Sequence, residues 1–140
     1  MELSAAILAA ALHGRECRVS RREADWGFDF GEGLYVAASV PWRVVTSEGI
    51  AHGDEDDGQR FGLDQPVDGE ARTNDLLRGQ KVAGVEVDRQ TADLRLVFDA
   101  GARLDFFNNS AGYEGWQASV LIEGKERTVI ALGGGKMTTY

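Results

Sequence analysis

The chain reads Asp25-Trp-Gly-Phe-Asp-Phe-Gly-Glu-Gly33, and 68 residues further on (93 − 25) it reads Asp93-Leu-Arg-Leu-Val-Phe-Asp-Ala-Gly101. In both stretches apolar side chains recur before a glycine-containing turn, which is typical of a β-hairpin with one buried face. The first aspartate, the last phenylalanine and the last glycine of the two stretches share this offset. One hairpin pattern therefore occurs twice, and this predicts a duplicated structural unit.

Shorter motifs on either side of the two hairpin stretches also occur twice, in the same order. Leu12-His-Gly14 recurs as Leu77-Arg-Gly79 at an offset of 65 (79 − 14), and Trp42 recurs as Trp116 at an offset of 74 (116 − 42). Because loop insertions change an offset only between segments, these steps are typical of a duplication. We expect an α+β fold, predominantly antiparallel β, with two tandem helix-then-β-meander units related by pseudo-two-fold symmetry.

Interruptions of the repeated strand pattern mark the boundaries of the two units. We expect the units to form one compact globular entity. The prediction assigns residues 1–64 to the first repeat unit, 65–72 to a linker, 73–135 to the second repeat unit and 136–140 to a C-terminal tail. The glycine run 133–135 is predicted to end the ordered core, so the tail is expected to lie outside it. A unit of about 65 residues buries only a marginal core by itself. We therefore expect the apolar faces of the two units to pack on each other.

Local signals predict the ends of several elements. Ser4 is the predicted N-cap of the first helix, and Gly14 is expected to end that helix in a left-handed conformation. Thr73 or Asn74 is predicted to cap the second helix. Residues 60–63 are predicted to form the last strand of the first unit.

The inward positions of the strands predict the core. Phe30, Phe98 and Trp42 fall on apolar faces, and Trp116 repeats Trp42 in the second unit. The single cysteine, Cys17, lies in a strand-like run and is expected to be a small buried apolar residue rather than a nucleophile. With one cysteine, no intramolecular disulfide can form.

Charge narrows the classes of function. The chain of 140 residues has a net charge of −8, from 23 acidic and 15 basic residues. It has no sustained basic stripe, so we predict no nucleic-acid partner, because phosphates are neutralised by Lys and Arg. The excess of acidic residues is compatible with a basic protein partner. A contribution to solubility alone is the favoured interpretation.

The apolar N-terminal run is the candidate for a targeting segment. Residues 5–12 are too few to span a bilayer, and Glu2 stands where a signal peptide carries positive charge. Since Leu12-His-Gly14 also belongs to the repeat, we interpret the run as a helix of the folded protein. We therefore predict a cytoplasmic protein with no membrane partner.

Motifs for catalysis or cofactor binding are missing from the sequence. His13 and His52 stand apart from any nucleophile motif, and no cysteine pair has the spacing of a metal site. Gly133-Gly-Gly-Lys136 does not fit a phosphate-binding loop, which needs Gly and Ser or Thr where this chain has Ile130 and Met137. We predict no metal, no cofactor and no enzymatic activity.

Several strings carry a resemblance to a known family. They are Leu76-Leu-Arg-Gly-Gln-Lys-Val82, Asp93-Leu-Arg-Leu-Val-Phe-Asp-Ala-Gly-Ala-Arg-Leu104 and Gly112-Tyr-Glu-Gly-Trp116, with Phe30-Gly-Glu-Gly33 and Pro41-Trp-Arg43 in the first half. Over most of its length the chain resembles DUF6188, a bacterial family of small uncharacterised domains. The resemblance implies no known reaction. Small domains of this kind can be immunity-like proteins that accompany polymorphic toxins.

Two segments are the candidates for partner binding. The acidic loop (residues 54–57) carries carboxylates suited to a basic partner, whereas the 108–115 loop has amide and aromatic groups and is six residues longer than its counterpart (74 − 68). The predicted partner-binding residues are Asp54, Glu55, Asp56, Asp57, Asn108, Asn109, Tyr113 and Glu114. The competing interpretations are a solvated turn for the first segment and turn chemistry for the second.

Three hypotheses about function follow. The first is a non-enzymatic binding protein, immunity-like, that neutralises a basic toxin-like partner. The second is a small-molecule-binding or sensory domain with a pocket between the two units. The third is an enzyme of a type that the sequence does not identify, and a polar pocket with His13 or His52 beside carboxylates would favour it.

Overall fold

The computed structural model describes residues 3–140, which contain two α-helices and eleven β-strands. The first half contributes α1 (Leu3–Leu12), β1 (Arg18–Arg21), β2 (Trp26–Asp29), β3 (Tyr35–Ala38), β4 (Trp42–Thr46) and β5 (Gly49–Gly53). The second half contributes α2 (Gly69–Leu77), β6 (Val82–Val87), β7 (Leu94–Phe98), β8 (Arg103–Phe106), β9 (Gln117–Ile122), β10 (Lys125–Ala131) and β11 (Met137–Thr139). Single-turn 3₁₀ segments lie at Asp54–Asp56 and Gly133–Gly135. The predicted fold class, α+β with mostly antiparallel strands, is confirmed.

The strands form two antiparallel sheets, and each sheet contains strands from both halves of the chain. The six-stranded sheet has the order β1-β2-β3-β9-β10-β11, and the five-stranded sheet has the order β5-β4-β8-β7-β6. The chain departs from the expected meanders at one point in each half. There β4 pairs with β8 instead of β3, and β9 pairs with β3 instead of β8.

This exchange of strands has a local cause in the first half. Pro41 stands between β3 and β4, and proline has no N–H to donate to a sheet. The chain therefore leaves the six-stranded sheet at this point. The carbonyl of Pro41 accepts a hydrogen bond from Phe107 N at 2.9 Å, so the two connections between the sheets meet. In the second half, residues 107–116 make the corresponding move over a longer path.

The two repeated stretches fold as the same kind of hairpin. In each, a phenylalanine N–H closes the turn on the carbonyl four residues later, at 2.8 Å for both Phe30 and Phe98. Gly33 and Gly101 have φ angles of 83° and 100°, a conformation that favours glycine. The alternation and the glycines therefore predicted both hairpins correctly.

The core lies between the two sheets, which pack face to face. Phe28 of the six-stranded sheet contacts Phe106 and Trp42 of the five-stranded sheet edge to face, with ring centroids 4.9 and 5.2 Å apart. Such pairs add to the stabilisation from burial alone. The predicted core residues Phe30, Phe98, Trp42 and Trp116 are all buried.

The helices cover the open edges of the two sheets. α1 packs against β6, β9 and β11, with Leu8 and Leu12 fully buried, and α2 packs against β1 and β5. Since β1, β5, β6 and β11 are the edge strands, each helix shields one strand edge of each sheet from pairing with another molecule. Neither helix within residues 3–140 is long and apolar enough to cross a membrane.

α2 begins earlier than the sequence predicted. Asp68 caps it by accepting from Ala71 N at 3.1 Å, so the predicted caps Thr73 and Asn74 lie within the helix. Asn74 has a different task, because its side-chain amide bonds both backbone groups of Val19 in β1, at 2.7 and 2.8 Å. The end of the predicted linker is therefore helical.

Of three further predictions about the ends of elements in the first half, two were wrong and one is confirmed. Ser4 lies inside α1 instead of capping it, and its Oγ forms a hydrogen bond of 2.5 Å with Thr139 Oγ1. Residues 60–63 form turns and no strand, because Phe61 has a φ of 47°, which a strand cannot contain. Gly14, with a φ of 79°, follows α1 in the predicted left-handed conformation.

The C-terminal tail, predicted to lie outside the ordered core, is part of the six-stranded sheet. β11 pairs with β10 through Ile130 and Thr138. Gly134 and Gly135, with φ angles of 82° and 92°, turn the chain back on itself after β10. The glycine run therefore connects two strands instead of ending the fold.

Candidate functional site

The acidic loop is engaged mainly within the protein. Asp54 and Asp56 accept hydrogen bonds from backbone N–H groups, at 3.3 and 2.9 Å. Of the four acidic residues, Glu55 alone is exposed, and the other three are partly buried. The four carboxylates therefore do not form one free acidic surface for a partner.

Asp57 is the most strongly engaged of the four. Its carboxylate accepts from Arg21 Nε and Nη2 at 2.9 and 2.7 Å, and from Gly69 N, at the start of α2, at 2.8 Å. Arg21 Nη2 also donates to Asp68, the cap of α2, at 3.1 Å. The hydrogen bonds from Arg21 hold the pKa of Asp57 below its ordinary value. This network ties β1 and the acidic loop to α2, which is a structural role.

The two histidines and the cysteine have different environments. His52 on β5 is buried 5.7 Å from the ring of Trp42, and its Nε2 has no hydrogen-bond partner within residues 3–140. Burial lowers the pKa of His52, so its ring is neutral at pH 7. His13 is exposed after α1, and burial raises the pKa of the Cys17 thiol, which keeps it protonated. Within the described chain no hydrogen bond joins these three side chains, and no group of His, Cys, Asp and Glu could hold a metal ion.

The 108–115 loop is fixed at its start by Asn108. The side-chain amide donates to Thr91 O at 3.0 Å and to Ala92 O at 2.7 Å, while Asn108 N donates to Asp93 Oδ1 at 2.8 Å. At the end of the loop, the buried Trp116 donates its Nε1–H to the same Ala92 carbonyl at 2.8 Å. Both ends of the loop are thus attached to the turn between β6 and β7.

The middle of the loop is fixed by Ser110. Ser110 Oγ accepts from the N–H groups of Gly112 and Tyr113, at 3.1 and 2.8 Å. The carbonyl of Ser110 accepts from Gly134 N at 2.9 Å, which joins the loop to the turn before β11. A Cβ atom at Gly133 would collide with the Gly112 backbone, so the two segments are packed as closely as glycine allows.

Tyr113 is the exposed tip of this fixed loop, with 84% of its surface accessible. Asn109 and Glu114 are exposed beside it, and Glu114 accepts one hydrogen bond from Gln117 at 3.0 Å. The predicted residues of this loop therefore divide into one structural anchor, Asn108, and three that face solvent. No hydrogen bond or ion pair among residues 3–140 joins them to the acidic loop.

A charged cluster that sequence reasoning missed lies on the outer face of the five-stranded sheet. Asp105 on β8 is 2% exposed and accepts from Arg95 Nε at 2.8 Å, Arg43 Nε at 3.0 Å and Arg103 Nε at 3.4 Å. Burial disfavours the charged carboxylate, but the hydrogen bonds from Arg95 and Arg43 outweigh it and hold the pKa of Asp105 below its ordinary value. Alternation along β7 and β8 could have placed Arg95 and Asp105 on one face. We call these four residues the arginine cluster.

Two of the clefts in the described part of the chain bear on its possible functions. One of about 670 Å³ lies between the segments that follow α1 and α2, and it therefore lies between the two halves of the chain. Cys17 lines it together with both acidic and basic side chains. The other, of about 560 Å³, lies over β6 and β7 beside Arg95, Asp105 and Phe107.

Comparison with protein-family models, curated proteins and solved structures gives no match for this chain. The resemblance to DUF6188 therefore stays a prediction. Any function has to be inferred from the geometry of the chain itself.

Proposed function

We propose that this protein is a non-enzymatic binding protein that recognises a protein partner through the tip of the 108–115 loop, with Tyr113 as the anchor. The observation that carries the proposal is a tyrosine that is 84% exposed on a loop fixed at both ends and in the middle. Tyrosine offers a large apolar surface and a hydroxyl group with few rotatable bonds, and it is enriched in binding hot spots. A loop already fixed loses little further freedom on binding.

We also propose that the two halves are related by a pseudo-two-fold axis and have exchanged their last strands. Val36 of β3 pairs with Ala118 of β9, and Val44 of β4 pairs with Leu104 of β8. By the sequence offsets, these two pairs are equivalent. The counterpart of Val36 in the second half is Leu104 (36 + 68), and the counterpart of Val44 is Ala118 (44 + 74). This agreement of register supports a duplication.

An isolated bridge between Glu16 and Lys81 supports the same axis. These residues are 65 apart (81 − 16), which is the offset of Gly14 and Gly79, so the bridge pairs a position with its own counterpart. The packing of the helices is consistent with the same axis, because α1 packs on β6 and α2 packs on β1. Each helix therefore contacts the first strand of the opposite half.

The duplication gives a reason to assign function to the 108–115 loop. In the first half, three residues (39–41) lead from one sheet to the other, whereas ten residues (107–116) do so in the second half. Three residues are thus sufficient for this connection. The additional length carries Tyr113, and long ordered loops on a rigid scaffold are common sites of binding.

The partner class that we propose is a basic, toxin-like protein, which this chain would neutralise as an immunity-like protein. The net charge of −8 favours the approach of a basic surface, and Glu114 places a negative charge beside the anchor. In the acidic loop, Glu55 alone is exposed. We therefore place the contact surface at the 108–115 loop and assign the acidic loop to the support of α2.

A small-molecule-binding or sensory role is the second candidate, and the cleft of about 670 Å³ between the two halves favours it. The charged residues that line this cleft are Arg15, Arg18, Arg78, Lys81, Glu16 and Asp29. Their excess of positive charge suits a small anion. This role predicts ligand binding that Lys81→Gln weakens and Tyr113→Ala leaves unchanged.

The leading proposal requires a toxin-domain gene beside the gene for this chain, and titration calorimetry with the product of that gene tests the proposal. Tyr113→Ala should weaken binding about 30-fold or more, as for a hot-spot residue. Tyr140→Ala is the matched control, because Tyr140 is 66% exposed and lies outside the loop. Equal affinities of the two variants, or no binding by the unaltered protein, would contradict the proposal.

A further inference from the structure

We propose that the arginine cluster binds a dianionic phosphoryl group, such as that of a small phosphate monoester. The site is formed by Arg43, Arg95 and Arg103, and Asp105 positions all three by accepting their Nε–H groups. This ligand is separate from the protein partner assigned to the 108–115 loop.

The guanidinium groups are oriented, and most of their donors are free. Each uses its Nε–H on Asp105, and within residues 3–140 the terminal amino groups make no further hydrogen bond. The side chains of Arg43, Arg95 and Arg103 are 32, 41 and 35% exposed, so these donors can be reached from solvent. Planar guanidinium donors match the geometry of phosphate oxygens, and their prior orientation reduces the cost of binding.

Local charge favours a dianion. Three arginines around one carboxylate leave an excess charge of +2 (3 − 1) on the surface of a protein whose net charge is −8. Glu86 is exposed opposite Arg95 on the neighbouring strand β6 and offsets part of that charge. Arg103 and Arg43 lie one and two strands farther from Glu86 than Arg95 does, and they are therefore the principal donors to the ligand.

In the described part of the chain, the six-stranded sheet has no counterpart of this cluster. The corresponding positions of the six-stranded sheet, taken from the offsets of 68 and 74, carry no charge: they are Gly27, Tyr35, Ala37 and Gln117. Within residues 3–140, that outer face pairs its strands in the same register without a buried carboxylate, and its one nearby cation, Arg22, donates to the Tyr35 hydroxyl at 2.7 Å. Because burying a carboxylate costs free energy, a cluster that only one of the two sheets contains points to binding.

The adjacent cleft has room for the rest of the ligand. It measures about 560 Å³ and has Phe107 on its wall, and the guanidinium of Arg43 lies 5.0 Å from the ring of Phe107. Asp88 and Asp93 also line the cleft and outnumber its one further basic residue, Arg89, so a second anionic group would be repelled there. The site should therefore prefer a monophosphate to a triphosphate.

Calorimetric titration with inorganic phosphate, AMP and ATP tests this proposal. We expect saturable binding of phosphate and AMP, with ATP weaker than AMP. Arg103→Gln should weaken AMP binding about tenfold, the loss expected for charge-assisted hydrogen bonds. The control is Arg127→Gln, which makes the same change of charge at an exposed residue of β10. It should leave the affinity unchanged.

Three outcomes would overturn the proposal. They are no saturable binding, equal weakening by Arg103→Gln and Arg127→Gln, or affinity that rises from AMP to ATP, which would indicate general attraction to negative charge. Arg103 makes the longest contact with Asp105, at 3.4 Å, so its replacement should least disturb folding. If Arg103→Gln unfolds, Arg103→Lys keeps the charge but loses the planar donors, and it should still bind AMP more weakly than the unaltered protein.

Discussion

Asn108→Ala should loosen the loop that presents Tyr113. The change removes two hydrogen bonds, to Thr91 O at 3.0 Å and Ala92 O at 2.7 Å, and leaves the backbone bond of residue 108 to Asp93. At about 0.5–1.5 kcal/mol each, the loss is about 1–3 kcal/mol of the free energy of unfolding. Trp116 still donates to the Ala92 carbonyl, so this group keeps a partner.

Urea denaturation followed by tryptophan fluorescence measures this loss. Asn109→Ala is the matched control, because Asn109 is exposed and makes no side-chain hydrogen bond within the described chain; it should change stability by less than about 0.5 kcal/mol. Asn108→Asp should cost more than Asn108→Ala, since it places a carboxylate against two carbonyl oxygens. If both alanine variants unfold at the same urea concentration, Asn108 does not hold the loop and the reasoning fails.

Further predictions concern the core, the acidic loop and the charge at the tip. Phe98→Ala should lower the free energy of unfolding by about 3–5 kcal/mol, and an unchanged melting temperature would show that the ring is not buried. Because Arg21 lowers the pKa of Asp57 in the folded state, the stabilisation from this pair is complete above the unfolded pKa of about 4 and is lost as pH falls through the folded pKa. Asp57→Asn should therefore flatten the acid side of the stability–pH curve, and a curve parallel to that of the unaltered protein would refute this. Glu114→Gln should slow association with a basic partner at low salt, and equal rates for both forms would exclude steering by this charge. Any hydrolase or transferase turnover that His52→Ala abolishes would contradict a non-enzymatic role.

Local patterning was enough to predict the hairpins and much of the core. Alternation of side chains and a following glycine describe the hairpins near Phe30 and Phe98 completely, because the interacting residues are neighbours in sequence. The pairing of β4 was not predictable in this way. Trp42 and Val44 bury the same face whether β4 pairs with β3 or with β8, and only the packing of the whole fold distinguishes the two.

The candidate site shows the same division between local and long-range information. Exposure of Tyr113 and the turn role of Ser110 follow from local composition. The engagement of Asp57 depends on Arg21, 36 residues away, and the bond between Arg43 and Asp105 joins residues 62 apart. Side chains that meet across strands distant in sequence, as Arg43 and Asp105 do, leave no local signal, so alternation could have predicted only the Arg95–Asp105 part of the arginine cluster.

Hydrogen exchange of the protein, free and bound to the proposed basic partner, most directly tests the proposal that the 108–115 loop is the contact surface. We expect slower exchange on binding in peptides that contain residues 109–114, with little change at the acidic loop. Protection at residues 54–57 without protection at 109–114 would contradict it, and the acidic loop would then be the binding surface.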